Sequence, residues 1–113
     1  MAKEFLPLNH AGYHILLALA DGERHGYGIM SDVEEISGGA TRFGPGTLYT
    51  SIKRLLTSGL IEESEKRPDP KLDDERRRYY RLSGLGRKVL SAESERLSTL
   101  LRYARSHRIV KAI

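Results

Sequence analysis

Cysteine is absent from all 113 residues, so disulfides, thiolate nucleophiles, thiol redox sensing and Cys-ligated zinc are excluded together. Long apolar runs are absent too. No segment reaches membrane-spanning length and no signal-type apolar stretch follows the start, so a cytoplasmic protein with no membrane partner is expected. There is no HExxH, no phosphate-binding Gly-rich loop and no Ser-His-Asp order with a supporting motif, so we expect neither an enzyme nor a cofactor. Repeats and low-complexity tracts are missing, and the only linker-like stretch is Arg67-Pro68-Asp69-Pro70-Lys71-Leu72-Asp73-Asp74. Positive charge is scarce at one end: Met1 to Ala40 holds two Lys/Arg against six Asp/Glu, a balance of −4, which leaves +8 for Thr41 to Ile113 out of a total of +4. A basic surplus confined to one part of the chain is an electrostatic footprint for a polyanion.

At this length the chain forms one domain with a modest core. Leu8 to Ala20 carries Ile15, Leu16 and Leu19 on one face and ends at Asp21-Gly22, which predicts a first helix and a turn. His25-Gly26-Tyr27-Gly28 opens a second helix, in which Ile29, Met30, Val33 and Ile36 recur at helical spacing until Ser37-Gly38-Gly39. Thr41-Arg42-Phe43 has room only for a stub of strand. His10 and His14 lie four apart, a metal-ligand spacing, but no third ligand stands near them in sequence; they read as an ordinary, partly exposed pair, and no metal is expected.

Gly44 to Leu56 is the most informative stretch. Pro45 suits a first helical position after Gly44 as N-cap, and Leu48, Ile52, Leu55 and Leu56 share one face before Gly59 closes the helix. Thr47, Tyr49, Thr50, Ser51, Lys53 and Arg54 are left outward, hydroxyls and cations suited to phosphate oxygens and base edges. Tyr49 is placed to give its hydroxyl to a phosphate. Lys53, one turn on, is favoured over Arg54 as a DNA contact.

Leu60 to Glu65 and Arg76 to Leu82 flank the Pro/Asp stretch and predict a hairpin with a long tip. Arg76, Arg77 and Arg78 alternate sides on a strand, so one or two face DNA, and of Tyr79 and Tyr80 one is expected in the core. Asp69, Asp73, Asp74 and Glu75 make the tip acidic, which repels phosphate and shifts the expected contact to the arginine strand. Ser83 caps a last helix whose stripe, Leu85, Val89, Ala92, Leu97, Leu100, Leu101 and Ala104, runs to about His107. A helix of that length overhangs a small globule, so Leu97, Leu100, Leu101 and Ala104 call for a second copy of the chain to cover them. The expected fold is mainly α with a small β-hairpin: a winged helix-turn-helix over 1–82 and a long C-terminal dimerisation helix over 83–113, forming one structural unit. In such a module the third helix enters the major groove, the hairpin touches the flanking backbone, and the start of the second helix offers amides to a phosphate.

Three blocks carry a resemblance to a known family. They are His25-Gly26-Tyr27, Pro45-Gly46-Thr47-Leu48-Tyr49 through Arg54-Leu55 and Gly59-Leu60-Ile61, and Arg76-Arg77-Arg78-Tyr79-Tyr80-Arg81-Leu82. On these the chain resembles PadR-type transcriptional regulators, from about Leu8 to about Tyr103. The resemblance implies a dimeric, DNA-binding regulator, usually a repressor, of the short type with a single C-terminal helix. The DNA-facing set expected from the residues is Tyr27, Thr47, Tyr49, Thr50, Lys53, Arg54, Arg76, Arg77 and Arg78. The resemblance also implies a small aromatic effector, an expectation that the lack of tryptophan weakens. Thr50 stands where many members have proline, and the acidic tip replaces a glycine-rich one. The expected function is a homodimeric regulator on a palindromic operator; the alternatives are a winged-helix protein-interaction module and a non-specific nucleoid-type DNA binder.

Overall fold

The computed structural model of the chain describes residues 2–64 and 78–111. A 3₁₀ turn, Ala2–Phe5, leads into helix α1, His10–Ala18, whose N-cap Asn9 accepts the Gly12 amide at 2.7 Å. The helix is shorter than the predicted Leu8 to Ala20 by two residues at each end, since the Asn9 cap starts it at His10 and Leu19 caps it after Ala18. A two-residue strand β1, Arg24–His25, runs directly into α2, Gly26–Ile36, and α3 follows at Pro45–Thr57 with Gly44 as N-cap. Strands β2, Ile61–Ser64, and β3, Tyr79–Leu82, precede α4, Gly84–Ser106, which Ser83 caps by accepting the Gly86 amide at 2.9 Å. The fold is the expected winged helix: four helices and a small antiparallel sheet.

The sheet corrects two expectations. Its order is β1-β3-β2, with Arg24 opposite Tyr80 and His25 opposite Tyr79. The extra strand therefore comes from Arg24–His25, while Thr41-Arg42-Phe43 forms no strand; there the Ser37 hydroxyl bonds both the amide and the carbonyl of Thr41 and closes a turn after α2. With partners on both sides, β3 is an inner strand, and Tyr79 and Tyr80 are both buried although they point to opposite faces. Tyr80 enters the main core, and Tyr79 meets the His25 ring edge-on at 5.4 Å. Glu65, Arg76, Arg77 and the whole acidic tip lie outside the described residues.

One core joins the elements. Ile15, Leu16 and Leu19 of α1 meet Ile29 and Val33 of α2, Leu48, Ile52 and Leu55 of α3, and Val89 and Leu90 of α4. The passage from α3 to α4 is tightly made: Gly59 turns the chain at φ +77°, the Ser83 hydroxyl donates to the Gly59 carbonyl at 2.6 Å, and the Ser83 amide donates to the Leu60 carbonyl at 3.1 Å. Gly86 packs on that same carbonyl, and a Cβ there would overlap it.

Helix α4 changes character along its length. Val89, Leu90 and Glu93 are buried, Leu97 and Ala104 are half-buried, and Leu100, Leu101 and Tyr103 are exposed, because the helix outruns the body it packs against. Its 23 residues span about 35 Å at about 1.5 Å per residue, in a molecule of 52 × 32 × 23 Å. No helix among the described residues is long and apolar enough to cross a membrane.

Candidate nucleic-acid interface

Helix α3 buries Leu48, Ile52 and Leu55 and leaves Thr47, Tyr49, Thr50, Lys53 and Arg54 exposed. At about 100° per residue these five form two flanks either side of the outermost line: Tyr49 and Lys53 on one, Thr47, Thr50 and Arg54 on the other. The surroundings differ between the flanks.

On the first flank, the Tyr49 ring lies over Gly26, the first residue of α2. A Cβ at Gly26 would come within 2.9 Å of Tyr49 Cζ and closer still to the hydroxyl. The absence of a side chain at Gly26 thus seats Tyr49 between α3 and the start of α2, with 43% of its surface still open. Tyr27, 59% exposed, stands beside it on the first turn of α2. The His25 imidazole caps that turn by accepting the Gly28 amide at Nδ1, 3.1 Å away, so one of the amides expected to meet a phosphate is already taken. Tyr80 is close enough for its hydroxyl to feel the Tyr49 oxygen; burial first, then Glu63 and Tyr49, hold its pKa above the usual tyrosine value. It therefore stays a neutral donor and acceptor.

On the second flank, Thr47, Thr50 and Arg54 border an open groove of about 660 Å³ with Asn9, His10 and Ala11 of α1 and with Phe43. His10 Nε2 bonds the Thr41 hydroxyl at 3.1 Å, and its ring lies 4.2 Å from that of His14, with Phe43 edge-on at 6.4 Å. The two histidines are thus packed against each other and against Phe43. Among the described residues no third ligand joins them.

Ion pairing separates the cations. Arg24 is held by Asp32 at 3.0 Å, Arg42 by Glu34 at 3.0 Å, and Arg81 by Glu62 at 3.2 Å and Glu23 at 3.6 Å. Arg78 pairs across the hairpin with Glu63 at 3.6 Å, both side chains well exposed, an arrangement that contributes little and that a phosphate can displace. Among the described residues Lys53 and Arg54 have no carboxylate within 4.0 Å, so both cations of α3 are free of an ion pair, as are Arg87, Lys88, Arg102 and Arg105 of α4. Of the nine residues expected at DNA, the structure brings Tyr27, Thr47, Tyr49, Thr50, Lys53 and Arg54 to one side around α3, and places Arg78 at the root of the wing. Arg76 and Arg77 lie outside the described residues.

Sequence reasoning missed Glu93. It is 1% exposed, accepts the Leu8 amide at 2.8 Å through Oε2, and is chelated by the Arg96 guanidinium, whose Nη2 lies 3.2 Å from Oε2. The Arg96 bonds hold its carboxyl below the ordinary carboxylate range against the opposing effect of burial, with the Leu8 amide adding to the lowering. The residue ties α4 to the segment that leads into α1. Its signal was present in the spacing: Leu85, Val89, Glu93 and Leu97 are four apart, so an acid sits in the inward row.

Comparison with known proteins agrees with this geometry. Residues 15–92 match the transcriptional regulator PadR-like family. A transcriptional regulator of Mycobacterium tuberculosis is 38% identical over 89 residues, covering 79% of this chain and 77% of its own. An uncharacterized 37.1 kDa protein in a Streptomyces fradiae transposon is 36% identical over 92 residues, 81% of this chain but only 24% of that protein, so the chain spans about a quarter of this longer relative. Among solved structures, Bacillus subtilis PadR in complex with operator DNA superposes with a TM-score of 0.61 at 28% identity, covering 76% of this chain and 47% of that one. A transcriptional regulator from Clostridium thermocellum shares the fold at a TM-score of 0.69 and 23% identity, covering 86% and 88% of the two chains. The chain belongs to the transcriptional regulator PadR-like family and carries that family's DNA-binding winged-helix fold.

Proposed function

We propose that this protein is a cytoplasmic homodimer that binds a palindromic operator through two copies of α3 and represses transcription by occupying promoter DNA. The observation that carries the reading is the outward face of α3, where Thr50 offers a hydroxyl to base edges and is flanked by Thr47, Tyr49, Lys53 and Arg54, which suit phosphates. Bacillus subtilis PadR, similar in fold and sequence, has been solved on operator DNA, and this supports DNA as the partner here. Two-fold pairing through the overhanging end of α4 would set the reading helices about one DNA turn apart, roughly 34 Å.

Selection of bound duplex from a random pool tests the proposal. A recovered palindrome, bound with an affinity that falls steeply with salt, is the expected result. Recovery of no preferred sequence with salt-sensitive binding would instead favour a nucleoid-type binder, and no retained DNA would favour a protein-interaction module.

A further inference from the structure

The second flank of α3 differs from an ordinary solvated helix face in having a wall opposite it. Across the groove from Thr47, Thr50 and Arg54 stand His10, Ala11 and Phe43. A helix about 10–12 Å across fills a major groove about 12 Å wide, so both phosphate walls of the duplex come against its sides. Tyr49 and Lys53 meet one wall. The other wall meets this recess.

Resting on the DNA reading of α3, we propose that the α1–α3 groove is a second backbone-binding site, which seats one sugar-phosphate unit of the strand opposite the one held by Tyr49 and Lys53. Phosphate oxygens are taken by the Arg54 guanidinium, the Thr47 hydroxyl and a His10 ring nitrogen. The deoxyribose lies on Phe43 and Ala11, which give the groove the apolar floor that a bare anion site lacks. The His10 ring is held in position. Thr41, itself 8% exposed, bonds Nε2, and the rings of His14 and Phe43 fix the imidazole plane, which leaves Nδ1 as the donor when Nε2 accepts the Thr41 hydrogen. The site makes α1 part of the DNA interface and gives Arg54 a role as fixed as that of Lys53.

The test uses the full chain on the duplex recovered by selection. His10→Ala and Thr47→Val, each removing one bond to a charged oxygen, should each weaken binding about tenfold. Arg54→Ala should also lower the slope of log affinity against log salt by about one. Phosphate-ethylation interference reads the geometry directly. In the wild-type chain, ethylation should block binding at a phosphate on each strand of a half-site. His10→Ala, Thr47→Val and Arg54→Ala should become indifferent to one of these, and Lys53→Ala to the other. Wild-type affinity in both His10→Ala and Thr47→Val overturns the site. An interference map confined to the Lys53 strand also overturns it, even for variants that fold poorly, because it is read on the wild-type chain. In either case specific operator binding by that chain leaves the DNA reading of α3 standing, whereas a wild-type chain that retains no duplex overturns both.

Discussion

Two glycines show how a missing side chain can serve opposite ends. At Gly86 the space is taken by the Leu60 carbonyl, a backbone atom already fixed by the Ser83 amide. In an exposed helix Gly→Ala would gain up to about 1 kcal/mol. Here overpacking should win, and Gly86→Ala should lose about 1–3 kcal/mol in a denaturant titration. At Gly26 the space is taken by the far end of Tyr49, which can swing away. Gly26→Ala should therefore stay within about 1 kcal/mol of wild-type stability yet weaken DNA binding. Its effect on affinity should overlap that of Tyr49→Ala in a double-mutant cycle, since both remove the same seated ring. Additive losses would mean that Tyr49 does its work elsewhere.

Glu93 belongs to the same scale. Its folded pKa is lowered, so the stability it contributes is fully present above the unfolded value and is lost as pH falls through the lower folded one. Wild type should exceed Glu93→Gln in unfolding free energy at neutral pH, and the gap should close below about pH 4, where an ordinary glutamate takes up its proton. A gap unchanged down to about pH 2 would show that Glu93 acts by shape alone.

At the scale of the element, α3 divides cleanly between a face that holds the fold and a face that meets solvent. Leu55→Ala removes a buried side chain and should cost about 2–5 kcal/mol, whereas Lys53→Ala removes an exposed cation and should leave the melting transition in place while lowering affinity for DNA. Circular dichroism and binding on the same two samples separate the effects. Loss of structure in both would mean that Lys53, too, supports the fold. The wing follows a different rule. Its inner strand β3 buries two adjacent tyrosines, and the basic groups at its root, Arg78 and Arg81, already lean on Glu63, Glu62 and Glu23. Of the wing's described arginines, only Arg78, with its one long ion pair, is well placed to exchange a carboxylate for a phosphate.

For the whole molecule, the decisive feature is the asymmetry of α4. Its first half is embedded in the core, and its second half carries Leu100, 57% exposed, and Leu101, 40% exposed, alongside Tyr103. Apolar groups gathered on an overhanging helix are the kind of patch that soluble monomers avoid, and burial in a two-fold pair would recover about 25 cal/mol per Å². Leu100→Asp with Leu101→Asp should give a folded monomer in sedimentation that has lost specific operator binding before its salt-sensitive attraction to DNA. A wild-type chain sedimenting as a monomer at micromolar concentration would remove the homodimer from the proposal.

Much of this protein was determined by local sequence. Apolar spacing sets the inward face of α3, Pro45 and Ser83 start their helices, and Gly59 ends one, because each depends on the backbone within a turn of itself. The long reach of α4 follows from its stripe in the same way. Tertiary structure alone decided what depended on neighbours distant in the chain. Arg24–His25 became a strand because Tyr79 and Tyr80 lay alongside, which made β3 an inner strand and buried both tyrosines. Glu93, already bonded by Arg96 one turn along its own helix, became a buried clasp only when the distant Leu8 met it, and Gly26, Tyr49 and the His10 groove acquired their roles only when α1, α2 and α3 were packed. Periodicity tells which side of a helix turns inward; it does not tell which atoms will be waiting there.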